Sequence, residues 1–252
     1  MKRLAVFASG RGSNFRAMID HIRMGILQNV EIGLLVTNIP DAPAAGLARE
    51  NSISVAFIEG VFGRRFASKQ EREEARNEFD RNAVDLLREC KIDLVALAGF
   101  MQVLGPTLVD AYVYRIMNIH PAKDLARFGG SGMFGDRVHA AVISAGEKES
   151  GCTVHYVDNS VDGGPLIVQA TVPVNPGDSP ESLAHRILIY EHRTYSKAIQ
   201  LHADDRIQVK DGRVMIDRSG DWENQWNQRQ EAFIRYQTAQ SKNHEQLLQP
   251  TT

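Results

Sequence analysis

The segment Leu4-Ala-Val-Phe-Ala-Ser-Gly-Arg-Gly-Ser-Asn14 decides the fold class of this chain. Its first half is an apolar run typical of a buried strand, and its glycines mark a tight turn. The apolar residues that follow have the spacing of one helix face: Phe15, Met18, Ile19 and Ile22. A strand, a glycine turn and a helix in this order predict the first unit of an α/β fold.

The same alternation of strands and helices continues through the first hundred residues. Apolar runs predict strands at residues 32–37, 54–58 and 93–98, and helices at residues 41–51 and 69–90. The run at 93–98 is almost entirely apolar, which suits a strand buried on both faces of a parallel sheet. Right-handed βαβ connections then predict an open, mostly parallel, twisted sheet with helices on both faces.

The second half of the chain is less regular. Glycines in residues 121–135 predict a mobile loop, which precedes a helix around 139–145 and strands at 152–157 and 165–172. A long helix is expected to begin at Asp178-Ser-Pro-Glu181, because these residues suit a helix N-terminus. Asp211-Gly212 predicts a hairpin between residues 206–209 and 213–216.

The division of the chain follows from these elements. We expect one main domain over residues 1–216 and a C-terminal tail over residues 217–252 that is helical. The tail is polar but places four aromatic residues at helical spacing: Trp222, Trp226, Phe233 and Tyr236. Such a stripe more often packs against its own protein than against a partner, so we expect self-packing.

Composition excludes several classes of protein. With 43% hydrophobic and 24% charged residues, the chain has the composition of an ordinary globular protein. A formal net charge of -2 argues against a dedicated nucleic-acid binder. Two distant cysteines give no disulfide framework, no apolar run reaches membrane-spanning length, and the eight histidines show no zinc-enzyme spacing. We therefore expect a cytoplasmic protein without a metal.

A polar pair at the end of one apolar run indicates chemistry. In Arg115-Ile-Met-Asn-Ile-His-Pro121, Asn118 and His120 alternate with Ile119, so both side chains face the same side of a strand. With Asp162 of Val161-Asp-Gly-Gly-Pro165, they supply an amide, an imidazole and a carboxylate, a set that suits acyl transfer. The alternatives are a core histidine at 120 and a simple turn former at 162. His155 can equally be structural.

The glycine turn Ser9-Gly-Arg-Gly-Ser-Asn14 is a candidate anion site. Backbone amides at a helix N-terminus can bind a phosphate, and glycine lets it approach closely. A plain tight turn is the alternative. A dinucleotide site is disfavoured, because Phe15 replaces the third glycine of that motif and no acidic residue ends the second strand at Thr37-Asn38.

Seven motifs in one order indicate a family. They are Ser9-Gly-Arg-Gly-Ser-Asn14, Leu97-Ala-Gly-Phe-Met101, Asn118-Ile-His-Pro121, Gly151-Cys-Thr-Val-His155, Val161-Asp-Gly-Gly-Pro165, Pro176-Gly-Asp-Ser179 and Glu191-His192. Through them the chain resembles the phosphoribosylglycinamide formyltransferases, folate-dependent enzymes of purine synthesis, from its first strand to about Ile216. This resemblance implies small-molecule substrates, no nucleic-acid or membrane partner, and a monomer or homodimer.

The resemblance also implies roles for individual residues. It makes Asn118, His120 and Asp162 the catalytic trio. It places the substrate phosphate on Gly12, Ser13 and Asn14, with Glu191 and Arg76 beside the same substrate. The cosubstrate 10-formyltetrahydrofolate would lie against two further segments, represented by Met101, Gln102, Val103, Leu104, Val157 and Val161. The function implied is formyl transfer from this folate to the amine of 5'-phosphoribosylglycinamide in de novo purine biosynthesis.

The sequence departs from the family pattern at two places. Gln102 stands where an arginine is common, and Ala122-Lys-Asp-Leu-Ala-Arg127 replaces the usual segment after Pro121.

One rival function is that of a related folate enzyme that uses another acceptor: an aminosugar, an aminoacyl-tRNA or water. The other is a folate- or nucleotide-binding protein without catalysis, which the intact trio disfavours.

Overall fold

The computed structural model describes residues 1–247, with side chains described through residue 235. Within these residues the strands are β1 (Lys2–Phe7), β2 (Val30–Thr37), β3 (Ser54–Phe57), β4 (Leu94–Leu97), β5 (Ile116–His120), β6 (Glu149–Tyr156), β7 (Leu166–Pro173), β8 (Ile207–Lys210) and β9 (Arg213–Ile216). The helices are α1 (Ser13–Arg23), α2 (Pro43–Glu50), α3 (Lys69–Glu89), α4 (Pro106–Ala111), α5 (Leu125–Phe128), α6 (Asp136–Ser144), α7 (Pro180–Ala203) and α8 (Trp222–Leu247).

The first seven strands form one sheet, in the order β3-β2-β1-β4-β5-β6-β7. Strands β1 to β5 are parallel, and at one edge β6 pairs antiparallel with both β5 and β7. The predicted open, mostly parallel α/β sheet is confirmed. The chain reverses its direction of winding between β1 and β4, and ligands of such sheets bind at the carboxyl ends of the strands beside that point.

The sheet is buried on both faces. Along β1, Leu4 and Val6 enter one apolar cluster, and Ala5 and Phe7 enter the cluster on the opposite face. This alternation follows from the two-residue period of a strand, and it explains why the strand sequences are continuously apolar. Apolar clusters therefore pack on both faces of the sheet that carries the candidate site.

The element boundaries agree with the sequence predictions to within a few residues, and two short helices, α4 and α5, were not predicted. The segment predicted as an irregular loop contains α5, a single helical turn. Asp124 caps this turn, because its Oδ1 accepts a hydrogen bond from the Arg127 backbone amide at 3.2 Å. The glycines therefore predicted the loop correctly, but the short helix before Gly129 was not predicted.

The C-terminal tail forms α8 and packs against the main body. Trp222, Trp226 and Phe233 are buried in a small cluster with Ile26 and Leu201, which confirms the expected self-packing of the aromatic stripe for these three residues. The side chain of Tyr236 lies outside the described ones. The division of the chain at residue 216 stays a prediction. No helix within residues 1–247 has both the length and the apolar composition to cross a membrane.

Candidate active site

Strand β5 brings two of the three predicted catalytic side chains to the carboxyl edge of the sheet. Asn118 and His120 leave the strand on the same side, and the loop between β6 and β7 supplies Asp162. Asn118 Nδ2 donates to Asp162 Oδ1 at 3.2 Å, and His120 Nδ1 lies 3.4 Å from Asp162 Oδ2. The structure therefore brings Asn118, His120 and Asp162 together as one group.

Asp162 owes its position to an unusual backbone conformation. Its φ is 56°, in the left-handed region that Asp and Asn adopt more readily than most other residues. Gly164 follows in the same turn, and a Cβ there would lie 1.9 Å from the Tyr156 carbonyl oxygen. The Asp-Gly-Gly sequence thus lets the loop fold back tightly against β6 and present the carboxylate to β5.

His155 is a fourth member of the group. It pairs directly with Asn118 across the antiparallel β5–β6 ladder, and its Nε2 lies 3.3 Å from Asn118 Nδ2. Its Nδ1 donates to the Tyr156 carbonyl oxygen at 2.9 Å, so Nε2 of the neutral ring accepts from Asn118. From the sequence alone, His155 could equally be a structural residue. Cross-strand register, which the sequence does not give, places it here.

The segment after β5 closes over His120 and Asp162 through backbone groups. The Phe128 carbonyl oxygen accepts from His120 Nε2 at 2.7 Å, and the Gly130 amide donates to Asp162 Oδ2 at 3.0 Å. Sequence reasoning missed both contacts, because backbone atoms leave no signal in residue identity. The glycines at 129 and 130 are the nearest hint, since they allow a close approach of the backbone.

The charges of the trio respond to burial and to one another. Burial lowers the pKa of His120, while the Asp162 carboxylate and the Phe128 carbonyl oppose that shift. Burial acts to raise the pKa of Asp162, but His155, His120 and the Gly130 amide outweigh it and hold the pKa below its ordinary value. Asp162 is thus an anion at neutral pH, and His120 sits beside it as a group able to take up or release a proton.

The glycine turn opens α1 in the way the sequence predicts. Gly12 has φ 75°, a left-handed conformation that favours glycine, and it directly precedes the first helical residue, Ser13. A Cβ at Gly12 would lie 3.0 Å from the Ala44 side chain, so the turn packs closely against α2. The first amides of α1 are free of intrahelical partners and carry the positive end of the helix dipole.

Asn14 links this turn to helix α7 through a hydrogen bond. Its Nδ2 donates to Glu191 Oε2 at 2.8 Å, although the two residues are 177 positions apart. Burial raises the pKa of Glu191, and the Asn14 hydrogen bond opposes that shift. The structure therefore brings together two residues that the resemblance assigned to one substrate, Asn14 from α1 and Glu191 from α7.

The segment after β4 borders the same edge of the sheet. The Met101 amide donates to Ser9 Oγ at 2.8 Å, which ties this segment to the end of β1. Gln102 is buried, and its Oε1 accepts from the Val61 amide at 2.8 Å. The Val103 side chain is exposed, whereas Leu104 belongs to the apolar core. The side chains of Gln102 and Leu104 are therefore buried in the protein, and those of Met101 and Val103 are more exposed to solvent.

The remaining predicted residues lie in two places. Arg76, on α3, stands beside the segment after β4, since a Cβ at Gly105 would lie 3.4 Å from its Nε. The positive charge of Arg76 acts to lower the pKa of Asp80, one turn further along the same helix. Val157 continues from β6 with its amide donating to the Ile116 carbonyl at 2.8 Å, and Val161 is exposed just before Asp162.

Comparison with known proteins places this architecture in a family. The formyl transferase family model matches residues 2–199. The chain is 38% identical over 215 residues to the chloroplastic phosphoribosylglycinamide formyltransferase of Arabidopsis thaliana, covering 85% of this chain and 70% of that protein. It is 32% identical over 218 residues to the phosphoribosylglycinamide formyltransferase of Haemophilus influenzae, covering 86% of this chain and 94% of that protein.

A solved structure agrees with these sequence relatives. The crystal structure of glycinamide ribonucleotide transformylase 1 from Symbiobacterium toebii superimposes with a TM-score of 0.74 at 34% identity. The superposition covers 86% of this chain and 94% of that one. Family model, sequence relatives and fold all agree, and the chain belongs to the formyl transferase family.

Proposed function

We propose that this chain transfers the formyl group of 10-formyltetrahydrofolate to the amine of 5'-phosphoribosylglycinamide in de novo purine biosynthesis. The observation that carries the proposal is the group formed by Asn118, His120 and Asp162 at the carboxyl end of β5. The glycine turn, the candidate phosphate site, follows β1, which lies two strands from β5 in the sheet. The named relatives in the family are enzymes of this reaction.

The proposed reaction begins with attack of the free amine on the formyl carbon. The carbonyl π bond opens, and negative charge develops on the formyl oxygen of a tetrahedral intermediate. Asn118 and a protonated His120 are the donors available to that oxygen. Both N–H bonds of Asn118 already point at acceptors, Asp162 and His155. Because an oxyanion is a stronger acceptor than a neutral imidazole, the formyl oxygen can replace His155 as the acceptor of the Asn118 hydrogen bond.

The reaction also moves one proton. The attacking amine must lose a proton, and the folate nitrogen must gain one as its bond to the formyl carbon breaks. His120 and Asp162 lie 3.4 Å apart and can share this proton between Nδ1 and the carboxylate, directly or through water. Nε2 is held by the Phe128 carbonyl, so Nδ1 is the nitrogen that serves the reacting groups.

The glycine turn and Glu191 support a phosphorylated acceptor. The free amides of Ser13 and Asn14 would hold the phosphate at the positive end of α1. Glu191 would accept hydrogen bonds from the hydroxyl or amide groups of the acceptor, in addition to its bond with Asn14. A small phosphate ester fits this arrangement better than water or a large RNA does.

The folate would lie along the segment after β4 and the loop that carries Asp162. Met101 and Val103 offer open apolar contacts, and backbone groups of 101–104 and 157–162 offer hydrogen bonds to a flat heterocycle. Arg76 stands beside this segment, so we assign it to the folate side of the site, in place of the acceptor side expected from the sequence. The cytoplasmic location and the monomeric or homodimeric state stay predictions.

Acceptor dependence tests this function. The purified chain would be incubated with 10-formyltetrahydrofolate, with and without 5'-phosphoribosylglycinamide, while absorbance follows the deformylation of the folate. We expect turnover only with the acceptor, and formation of the formylated acceptor in equal amount. Turnover that does not need the acceptor would identify a hydrolase. Folate binding without turnover, with this acceptor or other amines, would identify a binding protein.

A further inference from the structure

Helices α1 and α7 are joined at three levels by hydrogen bonds that involve side chains. Each pair links a residue of α1, or of the turn after it, to a residue of α7. Both residue numbers rise from one pair to the next, so the two helices run in the same direction. We call the three pairs the α1–α7 ladder: Asn14–Glu191 at 2.8 Å, His21–Ser196 at 2.7 Å and Gln28–Gln200 at 2.7 Å.

Buried side chains form the lower two pairs of the ladder. His21, Ser196 and Gln200 are all buried. A buried polar group that loses its partner is strongly destabilised, because water cannot reach it to replace the hydrogen bond. A slide of α1 along α7 would leave these groups unpaired. The lower pairs therefore set the register of the two helices, a role in which buried polar groups are well attested.

The uppermost pair of the ladder belongs to the proposed acceptor site. Asn14 is part of the glycine turn at the start of α1, and Glu191 bonds it from α7. His21 follows Asn14 by seven residues, which is about 10.5 Å of helix. Any shift of α1 at His21 therefore moves Asn14 relative to Glu191, through two turns of the same helix.

Helix α8 packs on the middle pair of the ladder. Phe233 is buried, and its ring lies nearly perpendicular to the His21 imidazole, with centroids 4.3 Å apart. One turn earlier in α8, Arg229 Nη1 donates to the Ile26 carbonyl oxygen at 3.0 Å. The same cluster includes Leu201 of α7. The tail thus contacts both helices of the ladder, and it covers the ring that joins them.

We propose that His21, Ser196 and Phe233 are positioning residues for the acceptor site. They set the register of α1 against α7, and thereby the position of Asn14 relative to Glu191. The inference rests on the proposed function, because it takes the uppermost pair as part of the acceptor site. The middle pair lies two helical turns from the phosphate turn, so these residues act through the uppermost pair and not by contact with the acceptor.

Two buried hydroxyl groups of α7 allow a matched comparison. Ser196→Ala removes the partner of His21 with little change in volume. Thr194→Val is the control, because the Thr194 hydroxyl is also buried on α7 but bonds Cys152 of β6, outside the ladder. Phe233→Ala and the conservative Phe233→Leu test the contact with the tail. We would measure the KM of each substrate in the acceptor-dependent assay, and urea unfolding would show that each variant folds.

The expected effect is confined to the acceptor. We expect Ser196→Ala and Phe233→Ala to raise the acceptor KM at least about fivefold, because a small misplacement of binding groups weakens their contacts with a substrate. The folate KM should stay the same, Phe233→Leu should recover most of the loss, and Thr194→Val should match the wild type. An unchanged acceptor KM in Ser196→Ala and Phe233→Ala, or an equal rise in Thr194→Val, would overturn the proposal.

A double variant separates positioning from a general loss of stability. Asn14→Ala removes the uppermost pair, so adding Ser196→Ala to it should change the acceptor KM little further. Independent substitutions about 10 Å apart have additive effects. Additive effects on the acceptor KM would therefore show that Ser196 does not act through Asn14, and the proposal would be wrong.

The side-chain amide resonance of Asn14 tests the same link by NMR without any substrate. We expect Ser196→Ala and Phe233→Ala to shift this resonance, and Thr194→Val to leave it in place. If the shift occurs but no turnover is found, the proposed function fails, while the positioning of Asn14 against Glu191 stands. If the resonance is the same in all variants, the proposal is wrong whatever the activity.

Discussion

The Phe128 carbonyl oxygen lies 2.7 Å from Nε2 of His120. A carbonyl only accepts hydrogen bonds, so Nε2 carries a proton in both the neutral and the charged ring. This contact fixes the tautomer and leaves Nδ1 facing Asp162 Oδ2 at 3.4 Å. A backbone group on α5 thereby decides which nitrogen of the catalytic histidine can exchange a proton with the reactants.

Replacing the imidazole should remove both of its proposed roles. We expect His120→Ala to lower the acceptor-dependent rate by at least about a hundredfold, the usual scale for a group in general acid–base catalysis. Steady-state kinetics at saturating folate and acceptor provide the measurement. Near-normal turnover would refute the assignment of His120. Thermal unfolding serves as the control, because His120 is buried and its removal can also affect folding.

The position of the Phe128 carbonyl can be tested through its neighbour. A Cβ at Gly129 would lie 2.5 Å from the Leu125 carbonyl oxygen and 3.2 Å from Asp162 Cβ, so Gly129→Ala must displace the segment. Because the carbonyl raises the pKa of His120, its loss should move that pKa to a lower value. We expect kcat to fall about tenfold through misplacement of the imidazole.

A pH–rate profile and an NMR titration of the His120 ring would measure both effects of Gly129→Ala. Gly46→Ala is the control, since a Cβ at that position in α2 meets no atom within 4 Å. An unchanged His120 titration in Gly129→Ala would mean that the Phe128 carbonyl does not tune the ring.

Local patterns predicted part of this site, and long-range pairing supplied the rest. The spacing of Asn118 and His120 was enough to place both on one side of a strand, because that period is a local property. The role of His155 could not be predicted in the same way. It depends on the register between β5 and β6, which pairs residues 37 positions apart. The Phe128 contact depends on the backbone of α5, a single helical turn that is too short to give a periodic signal.

The link between Asn14 and Glu191 should control affinity for the acceptor. Asn14→Ala would leave a partly buried carboxylate without its 2.8 Å donor and remove a side chain from the phosphate turn. Both side chains are proposed to hold the acceptor, and the substitution removes one and frees the other, so we expect the KM of the acceptor to rise at least about tenfold, equivalent to about 1.4 kcal/mol. The KM of the folate should stay the same.

Glu191→Gln, alone and with Asn14→Ala, completes a double-mutant cycle for this link. Because the two side chains act through one contact, their effects on the acceptor KM should be less than additive. Additive effects, or a change in the folate KM alone, would separate these residues from acceptor binding.

A buried histidine should make the stability of the fold depend on pH. His21 is fully buried, with Nδ1 2.7 Å from Ser196 Oγ, and burial lowers its pKa from 6.5 to about 4. His192 and Arg193 contribute to the lowering. Between these two pKa values the unfolded chain binds the additional proton. The contribution of the neutral His21 ring to stability is therefore complete above pH 6.5 and is lost as the pH falls toward 4.

Urea unfolding at pH 7.5 and pH 5 would measure this dependence. We expect the wild type to lose about 2 kcal/mol more than His21→Gln over this interval. His185→Gln is the matched control, because His185 is exposed. If His21→Gln and the wild type lose the same stability, the buried ring does not cause the dependence.

The aromatic cluster of the C-terminal tail should contribute to the stability of the fold. Trp226 is 3% exposed and stacks on Trp222 with ring centroids 5.8 Å apart. Removing a buried tryptophan side chain usually costs about 3–5 kcal/mol, so we expect Trp226→Ala to lower the free energy of unfolding by that amount. Met215→Ala, at a residue that is 50% exposed, should cost less than about 0.5 kcal/mol.

The same measurement on a chain ending at residue 216 decides what the tail is. Trp222, Trp226 and Phe233 cover Ile26 and Leu201 of the main body, so their removal exposes apolar surface that the rest of the chain cannot bury. A truncated chain that unfolds at lower urea concentration would make the tail part of the folding unit. Equal stability, with Trp226→Ala also neutral, would make residues 1–216 an independent domain, because α8 would then contribute nothing to holding it together.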